Sequence, residues 1–252
     1  MNKLIDSVAA LNDQALTRAH ELAGRLAVAV SQPDPGLPQL LVSEQKVQLQ
    51  VPDLGKPVAI DFETGKYDHR RKFGGGRGQP LAKAIGLKKG QLPTVIDATA
   101  GFARDAFVIA SLGCQITMLE RSLLMSILIE DAVSRAATHA EITDIAARMR
   151  IIHCDAIFYL QQLPVGDYPD VVYMDPMYPS RDKSALVKKE MQLLHRLIGA
   201  DTDSSPLLTA AREVARKRVV VKRPKGADFI GGAKPSVSIE SKNTRYDVYV
   251  NS

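Results

Sequence analysis

TVIDATAGFARDAF, residues 94–107, reads as a short apolar strand, a turn of small residues around Gly101, and the opening of a helix from about Arg104 to Leu112. The pattern recurs downstream. QITMLE (115–120) is a second strand, followed by a helix from about Leu123 to Ala137. RIIHC (150–154) is a third strand and DVVYMD (170–175) a fourth, with a helix from about Ser184 to Ile198 behind it. KRVVVKR (217–223) is a fifth. SVSIES and RYDVYV close the chain as an antiparallel pair joined through Lys242–Thr244. Strands alternating with helices predict a doubly wound, mostly parallel α/β sheet with helices on both faces, over residues 93–252.

Upstream, residues 1–62 predict a small mixed α+β domain. A helix from about residue 12 leads into a strand, LAVAV, followed by the turn-rich SQPDPGLP and strands in QLLVS, KVQLQV and PVAIDF. Residues 63–92 form a basic, glycine-rich linker with a short helix, LAKAIG, ending at Gly86 or Gly90. From Lys66 to Lys89 there are eight basic residues against one acid, Asp68, although the whole chain is only +5. A concentrated basic stretch suits a polyanion, and three consecutive glycines between cations suit close backbone approach to it.

The 252 residues are 45% hydrophobic and 24% charged, which excludes a disordered or fibrous chain. No apolar run is long enough for a membrane span, and MNKLIDSVAALND carries Asp6 and Asp13 instead of a secretory signal pattern, so the expected location is the cytoplasm. Cys114 and Cys154 are too few for a disulfide framework and are expected as reduced thiols. The five histidines lack metal-ligand spacing, so no metal is expected.

Ligands of open parallel sheets bind beyond the carboxyl ends of the strands. Here the tips carry Asp97 and Gly101, then Glu120 and Arg121, then Asp155 and Ala156, then Asp175. One such acid could simply cap a helix, but four in a row predict a shared acidic pocket. G-F-A-R-D-A is not a dinucleotide fingerprint, and Asp105 in the first helical turn would repel a pyrophosphate. A cationic cofactor without phosphate fits better, and S-adenosyl-L-methionine is one. Glu120, 23 residues after Asp97, is placed to accept from ribose hydroxyls.

Asp175-Pro176-Met177-Tyr178 resembles the D/N-P-P-Y/F element of methyltransferases that act on exocyclic amino groups. Such a nitrogen is a poor nucleophile because its lone pair is delocalised into the ring. A carboxylate accepting its N–H bonds biases that lone pair toward the methyl group, and an aromatic ring stacks on the base. Asp175 and Tyr178 are the expected catalytic residues.

DATAGFARDAF, MLER, MDPMYP, KSALVKKEM, HRRKFGGGRG and RVVVKRP together resemble the ribosomal RNA small subunit methyltransferase J family, in the right order from about Val58 to Val250. The resemblance implies a Rossmann-like class I methyltransferase fold. It implies S-adenosyl-L-methionine-dependent methylation of a guanine N2 near the 3′ end of 16S rRNA, with that rRNA or the small ribosomal subunit as partner. By position it implies cofactor contacts at Arg104, Asp105, Glu120, Arg121, Asp155, Ala156 and Asp175, beside the Asp97 and Gly101 read from the turn. The chain departs from the family at Ala103, where a second glycine is usual, at Asp155-Ala156, where a serine pair is usual, and at Tyr178, where phenylalanine is more usual. Arg70, Arg71, Lys72 and Arg77 are expected to hold RNA phosphates near the pocket mouth. Competing readings are a nucleotide-dependent oxidoreductase, a non-catalytic rRNA-binding or assembly factor, and an amino-methyltransferase acting on DNA. Cofactor dialysis, methyl incorporation and DNA–RNA competition separate these in turn.

Overall fold

The computed structural model describes residues 4–65, 67, 69, 71, 75–177, 192–193 and 203–251. The main sheet has seven strands: β5 (Val95–Asp97), β6 (Ile116–Glu120), β7 (Met149–His153), β8 (Val171–Met174), β9 (Arg218–Pro224), β10 (Val237–Glu240) and β11 (Thr244–Val250). Their spatial order is β10-β11-β9-β8-β5-β6-β7. Strands β5 to β9 pair in parallel, while β11 runs antiparallel between β9 and β10. From β5 the chain steps outward through β6 and β7, then returns to lay β8 on the other side of β5. That reversal places a crevice at the tips of β5 and β8.

The strands are buried on both faces, as a parallel sheet requires. Val95, Val171, Tyr173 and Val220 face one core with helices Arg104–Ser111 and Leu123–Thr138. Ile96, Val172, Met174, Val219 and Val221 face the other, with helices Ala156–Gln162 and Ser204–Val214. Helices therefore cover both sides of the sheet, and the expected class, a Rossmann-like doubly wound α/β fold with a closing antiparallel pair, is the one observed.

A second, four-stranded sheet is built from β1 (Ser7–Ala10), β2 (Ala29–Ser31), β3 (Gln39–Val42) and β4 (Val47–Gln50), in the order β2-β1-β3-β4. Helix Leu16–Leu26 connects β1 to the parallel β2, and β3 and β4 form an antiparallel pair. Val8, Leu40, Val42 and Leu49 share one continuous core with helices Arg104–Ser111 and Leu123–Thr138. The tie is also ionic. Buried Asp131 accepts from Arg18 Nη2 at 2.7 Å and from Arg135 Nε at 3.0 Å, joining the N-terminal helix to helix Leu123–Thr138.

Some expectations need correction. PVAIDF is not a strand. Only Val58 bridges, to Leu49, and the Ile60 carbonyl accepts from the Arg135 guanidinium instead of from a ladder partner. Asp61 then accepts from Glu63 N and Thr64 Oγ1, which turns the chain. Strand β1, four residues of SVAA, carries too little pattern to be read in advance. Helices Thr143–Ala146, Ala156–Gln162 and Ser204–Val214 were likewise not anticipated. The short helix Pro80–Ala84 ends at Gly86 (φ +76°), one of the two expected stops. The expected helix from Ser184 to Ile198 lies outside the described residues apart from 192–193.

Candidate active site

The loop after β5 organises the crevice. Asp97 is buried, and its Oδ1 accepts from Thr99 N at 3.0 Å. Thr99 Oγ1 in turn accepts from Asp175 N at 2.6 Å, which ties the tip of β8 to that of β5. On the other flank Gly101 N donates to Glu120 Oε2 at 3.0 Å, and Ser122 N donates to Glu120 Oε1 at 2.8 Å. Gly101 has φ +52°, so the turn needs its conformational freedom. Ala103 has φ +54° at the entrance of helix Arg104–Ser111. A methyl-bearing residue is strained there, which gives the usual second glycine of the family its physical reason. Glu120 and Asp175 thus flank one loop, about 10 Å apart across two strand spacings.

At the centre is a charged cluster. Lys222, on β9 one residue past the Val221 that pairs with Met174, places Nζ 2.8 Å from Asp105 Oδ2 and 2.7 Å from Asp175 Oδ2. Tyr173 OH donates to the same Asp105 oxygen at 2.6 Å. Asp105 and Tyr173 are buried, whereas the Asp175 side chain is 41% exposed and faces the opening. Burial pushes the Asp97 carboxyl up to about 7; the Thr99 hydrogen bond opposes this, and the Asp105 and Asp175 charges add to it. Burial also raises the Tyr173 phenol, together with the nearby Asp105 and Asp175 charges. For Lys222 burial works against the ammonium, but Asp175 and then Asp105 outweigh it, and the amine stays protonated well above the ordinary lysine range. Burial pushes both thiols, Cys114 and Cys154, up to about 11, so both are protonated at neutral pH.

The structure brings Asp97, Gly101, Asp105, Glu120 and Asp175 together at adjoining strand tips. Arg104 opens the helix after the loop, its guanidinium 5.4 Å from the Phe102 ring centre. Arg121 leaves the tip of β6 and pairs with Asp203 at 3.2 Å. Asp155 and Ala156 follow β7, and Asp155 Oδ1 accepts from Phe158 N at 2.9 Å as a helix cap.

The basic residues fall elsewhere. Arg77 Nη1 donates to Lys88 O, and its charge reaches Cys114 together with that of Arg148. Arg71 pairs with Glu141 at 2.9 Å, beyond the end of helix Leu123–Thr138. Cys114, Arg148 and Lys88 all precede strands, so Arg77 lies at the pole opposite the strand tips. Arg71 lies with it, because the helix ending before Glu141 runs back from the tips. The expectation that these two residues stand at the pocket mouth is therefore corrected: Tyr67 OH reaches Phe102 O beside the strand tips, whereas Arg71 and Arg77 lie at the other pole. Tyr178, Arg70 and Lys72 lie outside the described residues.

Lys222, Tyr173 and Thr99 were missed by the sequence reading. A signal existed for Lys222, because RVVVK puts a cation where the fifth apolar strand ends, on the same row as the acids.

The donor set suits a cation. Acids line the strand tips, a glycine turn leaves the backbone open, and no phosphate-binding fingerprint is present. Glu120 stands at the tip of β6 with its carboxylate oriented by the Gly101 and Ser122 amides. Fold and site together define a class I methyltransferase that uses S-adenosyl-L-methionine. Residues 21–251 match the SAM-dependent methyltransferase family model. A ribosomal RNA small subunit methyltransferase J from Tolumonas auensis is 52% identical over 248 residues, covering 96% of this chain and 97% of the relative. The relative of the same name from Nitrosococcus oceani is 47% identical over 241 residues, covering 94% and 95%. The crystal structure of a SAM-dependent methyltransferase from Neisseria gonorrhoeae has a TM-score of 0.76 at 36% identity, covering 97% of this chain and 96% of that one. The chain belongs to the ribosomal RNA small subunit methyltransferase J family.

Proposed function

We infer that this protein methylates the exocyclic N2 of a guanosine near the 3′ end of 16S rRNA, in the bacterial cytoplasm. The carrying observation is Asp175, held at the crevice by Thr99 behind it and Lys222 beside it, and followed by Pro176, Met177 and Tyr178. The names of the relatives support small-subunit rRNA as the substrate. Among the described residues no helix is long and apolar enough to cross a membrane.

When bound, S-adenosyl-L-methionine supplies an electrophilic methyl group on a sulfonium. Glu120 would hold its ribose hydroxyls, and Arg121, Asp155 and Ala156 would hold its adenine end. Asp97, Gly101, Arg104 and Asp105 would hold its amino acid end. Asp175 accepts an N–H of the guanine amino group, which aims the nitrogen lone pair along the line of attack and receives its proton afterwards. Tyr178 stacks on the base. Arg71 and Arg77 bind phosphates of an RNA segment that passes the opposite pole, away from the target nucleotide, and Arg70 and Lys72, their neighbours in the sequence, add positive charge for the same partner.

Two variants separate these roles in one experiment. Asp175→Ala should abolish turnover while RNA affinity stays within about twofold, because phosphate contacts dominate affinity. Removing charge at Arg70, Lys72 and Arg77 together should raise KM for RNA about tenfold and flatten its salt dependence, with kcat and cofactor affinity unchanged. Near-normal turnover of Asp175→Ala refutes the catalytic assignment. An unchanged salt slope in the triple variant refutes the basic one.

A further inference from the structure

Lys222 is anchored on its buried side and presents its charge on its open side. Asp105, 5% exposed, is held by the Tyr173 hydroxyl as well as by the ammonium, so it is a fixed point. Asp175, on the opening, meets the same ammonium through Oδ2. The two carboxylates are one lysine head apart. Without a cation between them, like-charge repulsion would turn the more exposed one away or favour its protonation.

We propose that Lys222 is a positioning residue for methyl transfer, its ammonium locking the Asp175 carboxylate to Asp105 so that a fixed anionic acceptor meets the incoming amino group. The assignment rests on the guanine-N2 reading of this site. A base N–H is a weak donor, and its nitrogen attacks productively only when the acceptor is charged and correctly aimed. A rotating or protonated Asp175 fails on both counts. The groups facing the pair come from every neighbouring strand: Asp97 on β5, Tyr173 on β8 and Tyr246 on β11, opposite Lys222 in the register. Asp97 and Asp105 both add negative charge that opposes ionisation of Asp175, and the lysine offsets it.

The role has a signature that a folding defect lacks. Lys222 is a cation near the site of a cationic cofactor, so deleting it should leave cofactor affinity equal or tighter while the reaction slows. In the full-length chain with its rRNA substrate, Lys222→Met should lower the single-turnover rate about 100-fold at pH 7. It should also move the acid limb of the rate profile up by about one pH unit. Lys222→Arg, which keeps the charge but changes its shape, should recover part of the rate and all of the pH profile. A rate, cofactor affinity and melting temperature that fall together with an unmoved profile would assign a merely structural role and overturn the proposal. So would an unchanged rate. A second measurement does not depend on turnover. The side-chain carboxyl carbon of Asp175, assigned by loss of its NMR signal in Asp175→Asn, should titrate at higher pH in Lys222→Met than in the wild type; equal midpoints contradict the proposal. If the wild type transfers no methyl group to rRNA, the guanine reading falls alone, and the NMR midpoints still decide the role of Lys222.

Discussion

Asp97 is ionised at a cost. Its carboxyl is pushed up to about 7 by burial, against 3.8 for an ordinary aspartate, so between those values the folded protein keeps a proton that the unfolded chain has released. Folding stability contributed by this residue therefore falls as pH rises through that window, and the loss is complete above about pH 7. Cofactor binding runs the other way, because a cation prefers the ionised form. Asp97→Asn keeps an oxygen for the Thr99 N–H and removes the buried charge. It should raise stability at pH 8 by about 1 kcal/mol or more, some 2–4 °C in Tm, with little effect at pH 4 to 5, while weakening S-adenosyl-L-methionine binding at pH 8. Thermal melts and cofactor titrations at both pH values check this, and a gain that is the same at both excludes the buried charge as its source. The residue type was legible in the sequence because an acid ended an apolar strand. Its shifted ionisation was not, because the burial that chiefly causes it, and the Asp175 charge that adds to it, come from packing between elements distant in the chain.

Between elements, Asp131 is a buried carboxylate with two cationic partners. It is buried 2% exposed with two arginine partners, one from the N-terminal helix, whose own side chain is 38% exposed. Asp131→Ala should destabilise the protein by about 2 kcal/mol, below the ~3–5 kcal/mol of a wholly buried pair because Arg18 can turn to solvent. Chemical denaturation measures the loss, and Arg18→Ala should cost clearly less. Equal costs would mean the link is no stronger than a surface pair. Helix and strand positions in the main sheet were legible because buried parallel strands are written as unbroken apolar runs such as VVYM and RVVV. In the N-terminal region the same reasoning failed at PVAIDF. Its apolar alternation is real, and Ile60 and Phe62 are buried, but a distant arginine takes the carbonyl a strand partner would need. Local pattern encodes which side chains are buried, not which backbone groups find a ladder.

Across the molecule, strand order converts separate tips into one site. Placing β8 beside β5 puts Asp175 within reach of Thr99, although 76 residues separate them in the chain. The rule that ligands bind at the switch of a doubly wound sheet located the acids in advance, and the recurring apolar runs supplied the strands. The basic segment misled for the complementary reason. Charge density in the sequence gives a polyanion partner but no direction, and the linker carries Arg77 to the far pole. Separation of the two features predicts an enzyme that grips RNA at a distance from the nucleotide it modifies. The central claim is that the strand-tip carboxylates present a methyl donor to a guanine amino group. Mass mapping of 16S rRNA from cells lacking this protein, before and after treatment with the purified enzyme and S-adenosyl-L-methionine, tests it most directly. One N2-methylguanosine near the 3′ end should be missing and then restored. Restoration of a methyl group on a ribose or another base, or no restoration at all, would contradict it.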